Sequence, residues 1–244
     1  MIYNRYMIPK VIYQTWRTQN LHTKIQKMHN RMLLKNPEYK QIIFTDDQMS
    51  DFIKSNYDKD IFHYFERINN IVSKADFWRY LVLYQNGGVY LDIDSIIVGK
   101  LDDLIKENDD AVITAETNEN NFVQWALIFD KKHPILENTI KNLIKNIDNN
   151  LYKNNVLHFS VKPYWDAVND AIAKSDKNFN WHSIENHTNE SFKIDGKNFR
   201  VYSFDYGKYI NFKHKYNHLL RERQKGGYEL EHWTSTQHKF NVFD

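Results

Sequence analysis

The sequence predicts an α/β domain with a mainly parallel central sheet, extending over residues 1–244. Short apolar segments alternate along the chain with longer amphipathic ones, which is the pattern of strands joined by helices. Of the 244 residues, 41% are hydrophobic and 15% are aromatic, which is enough for one sizeable core. The sequence has no internal repeat and no convincing linker, so we expect a single domain.

Strands are predicted where short apolar, β-branched or aromatic segments are bounded by polar or turn-forming residues. Because these segments are separated by helical patterns, their strands are expected to run mostly parallel. Beyond Trp181 the sequence indicates only short strands and loops. The predicted strands are Val11–Trp16, Gln41–Phe44, Val89–Leu91, Ile93–Val98, Ala111–Ala115 and Trp125–Phe129.

The first helix is predicted from apolar residues that recur at helical spacing. Ile25, Met28 and Met32 share one face of it. Asn36 precedes a proline, and proline favours an extended conformation in the residue before it, so the helix ends there.

Later helix boundaries are marked by glycine and proline. Gly87 and Gly88 end the helix that starts near Ser73, because glycine accepts the positive φ of a helix C-terminus. Pro134 starts another, since proline suits the first turn. The predicted helices are Leu21–Lys35, Asp47–Asn56, Asp60–Arg67, Ser73–Asn86, Pro134–Ile147 and Ser160–Ala173.

The composition argues against several classes of protein. Lys and Arg number 33 against 31 Asp and Glu, and a net charge of +2 does not favour nucleic-acid binding. The absence of cysteine rules out disulfides and thiolate metal sites. No apolar run approaches the ~20 residues of a membrane helix. The first residues, MIYNRYMIPK, have no apolar signal core, so we expect a cytoplasmic protein.

The most informative motif is the D-x-D of Asp92 and Asp94, which follows an apolar strand segment. In an extended chain, residues two apart point to the same side, so the two carboxylates are expected to lie together. Paired carboxylates repel each other unless a cation lies between them. Mg²⁺ and Mn²⁺ prefer such oxygen ligands and often share them with phosphates. The motif therefore predicts chemistry on a nucleotide diphosphate.

A second D-x-D, formed by Asp58 and Asp60, serves as an internal comparison. Its surroundings, SNYDKDIFHYF, are polar, and no apolar strand leads into it. We interpret it as a solvated helix start, with Asp58 as the N-cap.

The surroundings of Asp92 resemble a known family. The pattern S-x-x-D-x-x-R-Y-x-x-L-Y-x-x-G-G-V-Y-x-D-x-D in Ser73–Asp94 resembles the sugar-binding region of glycosyltransferase family 32. The segment Ile8–Trp16 resembles the family's I-P-K-x-I-H-Q-x-W opening, and Asn36–Tyr39 followed by Thr45–Asp47 resembles its next block. The resemblance covers about the first 100 residues and is weaker in the rest of the chain. It implies a GT-A type fold that binds a nucleotide-diphosphate sugar.

The resemblance also implies roles for Asp76 and Arg79, three positions apart on one helix face. Asp76 would contact donor hydroxyls, and Arg79 the donor sugar or phosphates, for which a guanidinium fork is well suited. The alternative for Asp76 is a capping box begun by Ser73. The alternative for Arg79 is a pair with Asp76 on an exposed helix, worth only a few tenths of a kcal/mol.

Gln14, Thr15 and Trp16 end the first predicted strand. The resemblance implies that this region binds the nucleotide, with the indole stacked on the base and the two polar side chains hydrogen-bonding nearby. The competing interpretation of Trp16 is an ordinary core side chain.

Near the C-terminus, EHWTSTQ resembles a late family segment, in which His232 and Trp233 match. In related sugar transferases such a segment closes over the diphosphate and completes the metal shell, which implies His232 as a metal ligand and Trp233 as a nucleotide contact. A surface histidine is the alternative. Gly226 and Gly227 are interpreted as a solvated hinge, and cations and tyrosines over Lys208–Tyr228 leave open a peripheral membrane contact.

Together these observations predict a metal-dependent glycosyltransferase that uses Mn²⁺ or Mg²⁺. Its donor would be a nucleotide-diphosphate sugar and its acceptor a glycan or a lipid-linked saccharide; the resemblance implies retention of anomeric configuration. Asp76, Arg79, Asp92 and Asp94 are the predicted catalytic residues. One rival is a non-catalytic nucleotide-sugar or carbohydrate-binding protein on the same scaffold. Another is a metal-dependent phosphohydrolase, which accounts for the carboxylates but not for the other matches.

Overall fold

The computed structural model describes residues 8–116, 121–175, 177, 190–204, 206–212 and 241–244. Seven strands form a central sheet and two more form a short ribbon. The strands are β1 (Val11–Thr15), β2 (Lys40–Phe44), β3 (Gly88–Leu91), β4 (Ile96–Ile97), β5 (Ala111–Ala115), β6 (Ala126–Phe129), β7 (Glu190–Ile194), β8 (Lys197–Phe204) and β9 (Ile210–Asn211).

The central sheet has the order β2-β1-β3-β6-β5-β8-β7, and β4 pairs with β9. β1 runs parallel to β2 and β3, and β5 runs parallel to β8, whereas β6 and β7 are antiparallel to their neighbours. Five of the seven strands thus share one direction, which confirms the predicted α/β fold with a mainly parallel sheet.

Helices cover both faces of the sheet. A π-helical turn, Leu157–Val161, leads directly into the last described helix. The helices are α1 (Thr23–Lys35), α2 (Asp46–Asn56), α3 (Lys59–Glu66), α4 (Ile71–Asn86), α5 (Leu101–Leu104), α6 (Pro134–Asp148) and α7 (Lys162–Ala173).

Helix α4 is the most deeply buried of the described helices. Phe77, Trp78, Tyr80 and Leu81 are fully buried, so the helix is apolar around most of its circumference rather than along one stripe. It packs in the core between the sheet and α2, α3, α6 and α7. Polar residues on such a helix are therefore enclosed, which matters for Asp76 and Arg79.

The connection from α4 to β3 depends on two glycines. Gly87 has φ +67° and Gly88 has φ +113°, a region that side chains rarely adopt. A Cβ at Gly88 would lie 2.7 Å from the carbonyl oxygen of Val11, because the strand enters tightly against β1. The sharp turn sends β3 back beside α4, so that the end of β3 lies near the first turns of the helix.

One predicted strand near the site is wrong. The predicted strand Ile93–Val98 is reduced to β4, because the chain turns at Asp92 instead of continuing straight. The helix predicted to start near Ser73 begins two residues earlier, at Ile71, and the side chain of Asn70 caps it by accepting from the N–H groups of Val72 and Ser73. Within the described part of the chain, no helix is both long and apolar enough to cross a membrane.

Candidate active site

Asp92 and Asp94 lie in a turn at the carboxyl end of β3. The N–H of Asp92 donates to the carbonyl of Trp125 (2.8 Å), and its own carbonyl accepts from the N–H of Ser95 (2.9 Å). The expectation that an extended strand aligns the two aspartates is therefore wrong in its backbone conformation. The alternation of exposure nevertheless holds, since both aspartates are partly exposed while Ile93 between them is buried.

A chain of hydrogen-bonded polar side chains, two of them fully buried, supports this turn from the side of β1 and α1. The Gln14 amide donates to the carbonyl of Asp92 (3.3 Å), and the Gln41 amide donates to Gln14 Oε1 and to His29 Nδ1 (2.8 Å to the latter). Because His29 Nδ1 accepts, its Nε2 carries the proton and faces the carbonyl of Ile93 at 3.4 Å. Burial lowers the pKa of His29 to about 4, so its ring is neutral near pH 7.

Asp76 and Arg79 lie inside the protein, not on an exposed helix surface. Asp76 is 3% exposed and Arg79 is 4% exposed, and Nη2 of Arg79 lies 2.9 Å from Oδ1 of Asp76. The same Nη2 lies 3.3 Å from Oδ1 of Asp92, so the guanidinium joins α4 to the D-x-D turn. Since the helix is capped by Asn70, the capping-box interpretation of Asp76 is wrong.

Gln124 hydrogen-bonds to several polar side chains of the site, and the sequence motifs do not point to it. Its amide donates to Oδ1 of Asp76 (2.9 Å) and to the Tyr80 hydroxyl (3.0 Å). Its side-chain and backbone oxygens both accept from Nη1 of Arg79, at 2.6 and 3.0 Å. The other oxygen of Asp76 accepts from the Ser160 hydroxyl (2.6 Å). Nothing in the local sequence distinguishes these residues, because they precede a strand or lie in the π-helical turn.

Tyr90 completes the surroundings of Arg79 and Asp92. Its hydroxyl donates to Oδ1 of Asp92 (2.9 Å), and the guanidinium carbon of Arg79 lies 4.3 Å from the centre of its ring. Burial would lower the pKa of Arg79, but Tyr90, Asp92 and Asp76 outweigh it and hold that pKa above its usual value. Burial raises the pKa of Tyr90, which keeps its hydroxyl a donor.

The donor set suits a hard divalent cation shared with a substrate. Asp76, Asp92 and Asp94 carry three formal negative charges and Arg79 carries one positive charge, and Mg²⁺ is commonly held by one or two carboxylates plus substrate phosphates. Among the described residues, no group of three or more His, Asp or Glu side chains forms a metal cluster. Asp92 and Asp94 are thus the candidate ligands, to be completed by other groups.

The remaining predicted residues are distributed as follows. Thr15 ends β1 and is partly buried, as is Trp16. The backbone N–H of Trp16 donates to the carbonyl of Phe44 (3.0 Å), and its ring packs against the core on the α1 side of the sheet. Gln14 contacts the D-x-D turn itself. His232 and Trp233 lie outside the described residues and stay predictions.

The second D-x-D belongs to a helix start. Asp58 is the N-cap of α3, and its Oδ1 accepts from the N–H of Ile61 at 2.9 Å. The structural interpretation of this motif is confirmed.

Sequence matches to known proteins include the region that contains the D-x-D turn. Residues 22–111 match the family model described as "Glycosyltransferase sugar-binding region containing DXD motif". Over 56% of its length, the chain is 33% identical to inositol phosphoceramide mannosyltransferase 3 of Schizosaccharomyces pombe, covering 37% of that protein. It is 26% identical, over 78% of its length, to an uncharacterized glycosyltransferase of Acanthamoeba polyphaga mimivirus, of which it covers 72%. These matches confirm the predicted resemblance to glycosyltransferase family 32.

A solved structure extends the comparison to the fold. The PaToxG glycosyltransferase superposes with a TM-score of 0.54 and 22% sequence identity, covering 68% of this chain and 70% of that one. At this identity the likeness concerns the fold. The chain therefore combines an α/β fold shared with a glycosyltransferase and a sequence match centred on its D-x-D region, although it spans well under half of the mannosyltransferase just named.

Proposed function

We propose that this chain, which carries a glycosyltransferase sugar-binding region, is a metal-dependent glycosyltransferase. Its donor would be a nucleotide-diphosphate sugar, and its acceptor a glycan or a lipid-linked saccharide. Mannosyltransferases among the relatives support transfer of a hexose, and the chain's own residues support binding of a diphosphate.

The observation that carries this proposal is the location of the D-x-D turn. Asp92 and Asp94 are partly exposed at the carboxyl end of β3, where α/β sheets bind their ligands. The carbonyls of Asp92 and Ile93 are held from behind by Gln14 and His29. A turn held in this way keeps its carboxylates oriented before substrate arrives, which lowers the cost of reorganisation.

Arg79 is proposed to act mainly by positioning. Its guanidinium contacts Asp76, Asp92 and Gln124, so it links the helix, the D-x-D turn and the entry to β6. It also contributes a fixed positive charge in a site that excludes water on the α4 side. This positive charge offsets part of the negative charge of the carboxylates, which reduces their repulsion of an anionic diphosphate.

The proposed reaction replaces one glycosidic bond by another. The bond between the anomeric carbon and the diphosphate oxygen breaks, and the nucleoside diphosphate leaves with the electron pair. An acceptor hydroxyl forms the new bond to the anomeric carbon, and its proton passes to an oxygen of the departing diphosphate. When bound at Asp92 and Asp94, Mn²⁺ or Mg²⁺ would supply charge neutralisation for the leaving group. This route needs no protein nucleophile and retains the anomeric configuration.

A ligand screen followed by product analysis tests the proposal. Thermal unfolding is measured with a panel of UDP- and GDP-sugars, with and without Mn²⁺. A ligand at 100 times its dissociation constant adds ~2.7 kcal/mol to the free energy of unfolding, which is readily detected. For the donor found, we expect a new glycoside as product. Free sugar alone would indicate a hydrolase, and stabilisation without any product would indicate a binding protein.

A further inference from the structure

A second concave site lies on the other side of the π-helical turn from Asp76. It is a cavity of about 320 Å³ between the C-terminal half of α6, the following loop, the π-helical turn and the start of α7. This volume is at the lower end of the range of ~300–1,000 Å³ for small-molecule sites. Its lining includes Asn142, Lys145, Tyr152, His158, Lys162 and Asp166.

The cavity and the D-x-D site are connected through the π-helical turn. Ser160 in that turn donates to Oδ2 of Asp76 (2.6 Å), and its carbonyl accepts from the Tyr80 hydroxyl (2.9 Å). On the other side, the Asn146 amide donates to the carbonyl of Phe159 (3.1 Å). His158, two residues before Ser160, lines the cavity, so a few residues of one turn contact both sites.

The topology places both sites toward the same end of the strands of the central sheet. β6 is antiparallel to β3, so α6 starts near the end of the strands that is opposite to Asp92. The last turns of α6 return to the end of the sheet where β3 finishes. The residues of α6 that line the cavity, including Asn142 and Lys145, belong to these last turns. The cavity therefore lies toward the same end of the β3 strand as Asp92, with the buried side chains of Asp76 and Ser160 between the two sites.

The loop between α6 and the π-helical turn presents an aromatic ring at the cavity. Tyr152 is 43% exposed and has φ +60°, and Asn150 has φ +53°. A positive φ is unfavourable for a bulky residue and is retained where the surroundings or the function require it. The Tyr152 ring lies 5.4 Å from the ring of His158, measured between centroids. The two rings form one wall of the cavity.

The polar lining suits a neutral, hydroxyl-rich molecule. Lys145 and Lys162 are balanced by Asp166 and Asp170, and Lys162 already pairs with Asp166 at 2.6 Å. Within the described residues, Nδ1 of His158 is buried without a hydrogen-bond partner. An exposed aromatic ring beside amides, an imidazole and balanced charges would recognise a pyranose ring better than a phosphate.

From these observations we propose that the cavity between α6 and α7 binds a neutral pyranose of the acceptor, stacked beside Tyr152 and hydrogen-bonded near His158. This inference rests on the proposed transferase function, because it assigns the cavity to one sugar unit of the acceptor. The π-helical turn then fixes the position of the acceptor cavity relative to Asp76.

Ligand titration followed by NMR tests the assignment. The histidine ring resonances are recorded while methyl α-D-mannopyranoside, methyl β-D-glucopyranoside or inorganic phosphate is added, and the His158→Gln variant identifies the His158 signals. We expect at least one pyranoside, but not phosphate, to shift them saturably. Tyr152→Asn should weaken that binding by about tenfold. Asparagine tolerates a positive φ, so this variant keeps the loop conformation. Leu34→Ala, at a 79% exposed position on α1, is the matched control.

The outcomes separate this site from the proposed function. Pyranoside binding that survives Asp94→Asn, while stabilisation by nucleotide sugar and Mn²⁺ is lost, supports two distinct subsites. If neither pyranoside perturbs His158 at high millimolar concentration, or if Tyr152→Asn binds as tightly as the wild type, the acceptor assignment is wrong. Stabilisation of the same protein by a nucleotide sugar would then leave the transferase proposal intact. Competition by inorganic phosphate at His158 would overturn the neutral-ligand assignment.

Discussion

Nη2 of Arg79 lies 2.9 Å from Asp76 and 3.3 Å from Asp92, so one buried guanidinium joins the first turns of α4 to the D-x-D turn. Arg79 comes from the helix that precedes β3, and Asp92 comes from the turn that follows it. The sharp connection at Gly87 and Gly88 makes this contact possible, because it folds the strand back beside the helix. The orientation of the Asp92 carboxylate therefore depends on packing within the core.

We expect Arg79→Lys to lower both stability and turnover. The guanidinium of Arg79 contacts one oxygen each of Asp76 and Asp92 and two of Gln124, and an ammonium with three donors cannot satisfy all of them. A buried acceptor left unpaired costs ~1–3 kcal/mol in the free energy of unfolding. A misoriented Asp92 should in addition reduce kcat/KM at least tenfold, or ~1.4 kcal/mol. Urea unfolding and steady-state kinetics measure the two effects.

Arg31→Lys is the control for Arg79→Lys, since Arg31 is exposed on α1 and should tolerate the change. Wild-type kcat/KM in a destabilised Arg79→Lys protein would mean that the guanidinium supports the fold but not the reaction.

Asp94→Asn should remove metal-dependent donor binding without unfolding the protein. Asp94 is partly exposed in a turn, and asparagine keeps its size while losing the charge that attracts a divalent cation. We expect the stabilisation by nucleotide sugar with Mn²⁺ to disappear, while the melting temperature without ligand stays within a few degrees. Asp60→Asn, at the helix-start D-x-D, should bind donor like the wild type. Retention of Mn²⁺-dependent binding by Asp94→Asn would contradict its assignment as a ligand.

The parts of the site that the sequence predicts are those that local patterns specify. The end of β1, the glycine stop of α4 and the aspartates after β3 all follow from apolar runs and turn-forming residues within a short stretch. The straight strand through Asp92 is wrong because the alternating pattern of YLDIDSIIV does not report tertiary contacts. Gln14 and His29 hold a turn there from distant elements.

The other residues of the site could not be predicted because their partners are far apart in the chain. Gln124 is 48 positions from Asp76, and Ser160 is 84 positions from it. Neither separation leaves a periodic signal. Burial of α4 on nearly all sides also changes the energetics of its ion pair, which the sequence alone assigns to an exposed helix face.

Gln124→Glu tests whether the amide organises the buried network. The Gln124 nitrogen donates to Asp76, so a carboxylate in its place sets two acceptors against each other in a buried site. We expect the free energy of unfolding to fall by ~1–3 kcal/mol near pH 7. The loss should shrink as the pH is lowered, because a protonated carboxyl group can donate again. Gln26→Glu, on the exposed face of α1, is the matched control. A loss of stability that does not change with pH would argue against the contact with Asp76.

His133 offers a test that is independent of the active site. It lies at the start of α6, where its Nδ1 accepts from the N–H of Ile135 at 3.3 Å, and it is fully buried. Burial, and to a lesser extent the nearby Lys197, lowers the pKa of His133 from 6.5 to about 3. The folded protein therefore keeps this ring neutral under conditions where the unfolded chain protonates it.

Between about pH 6.5 and pH 3 the unfolded chain binds one more proton at His133 than the folded protein does. The free energy of unfolding should therefore fall as the pH is lowered, by at most ~1.4 kcal/mol per pH unit from this residue. His133→Asn keeps a good N-cap but removes the titration. We expect urea unfolding between pH 7 and pH 4.5 to show a shallower loss of stability in this variant than in the wild type. His22→Asn, the same change at the start of α1, controls for the cap substitution. Parallel curves for His133→Asn and the wild type would show that His133 is not held neutral in the folded protein.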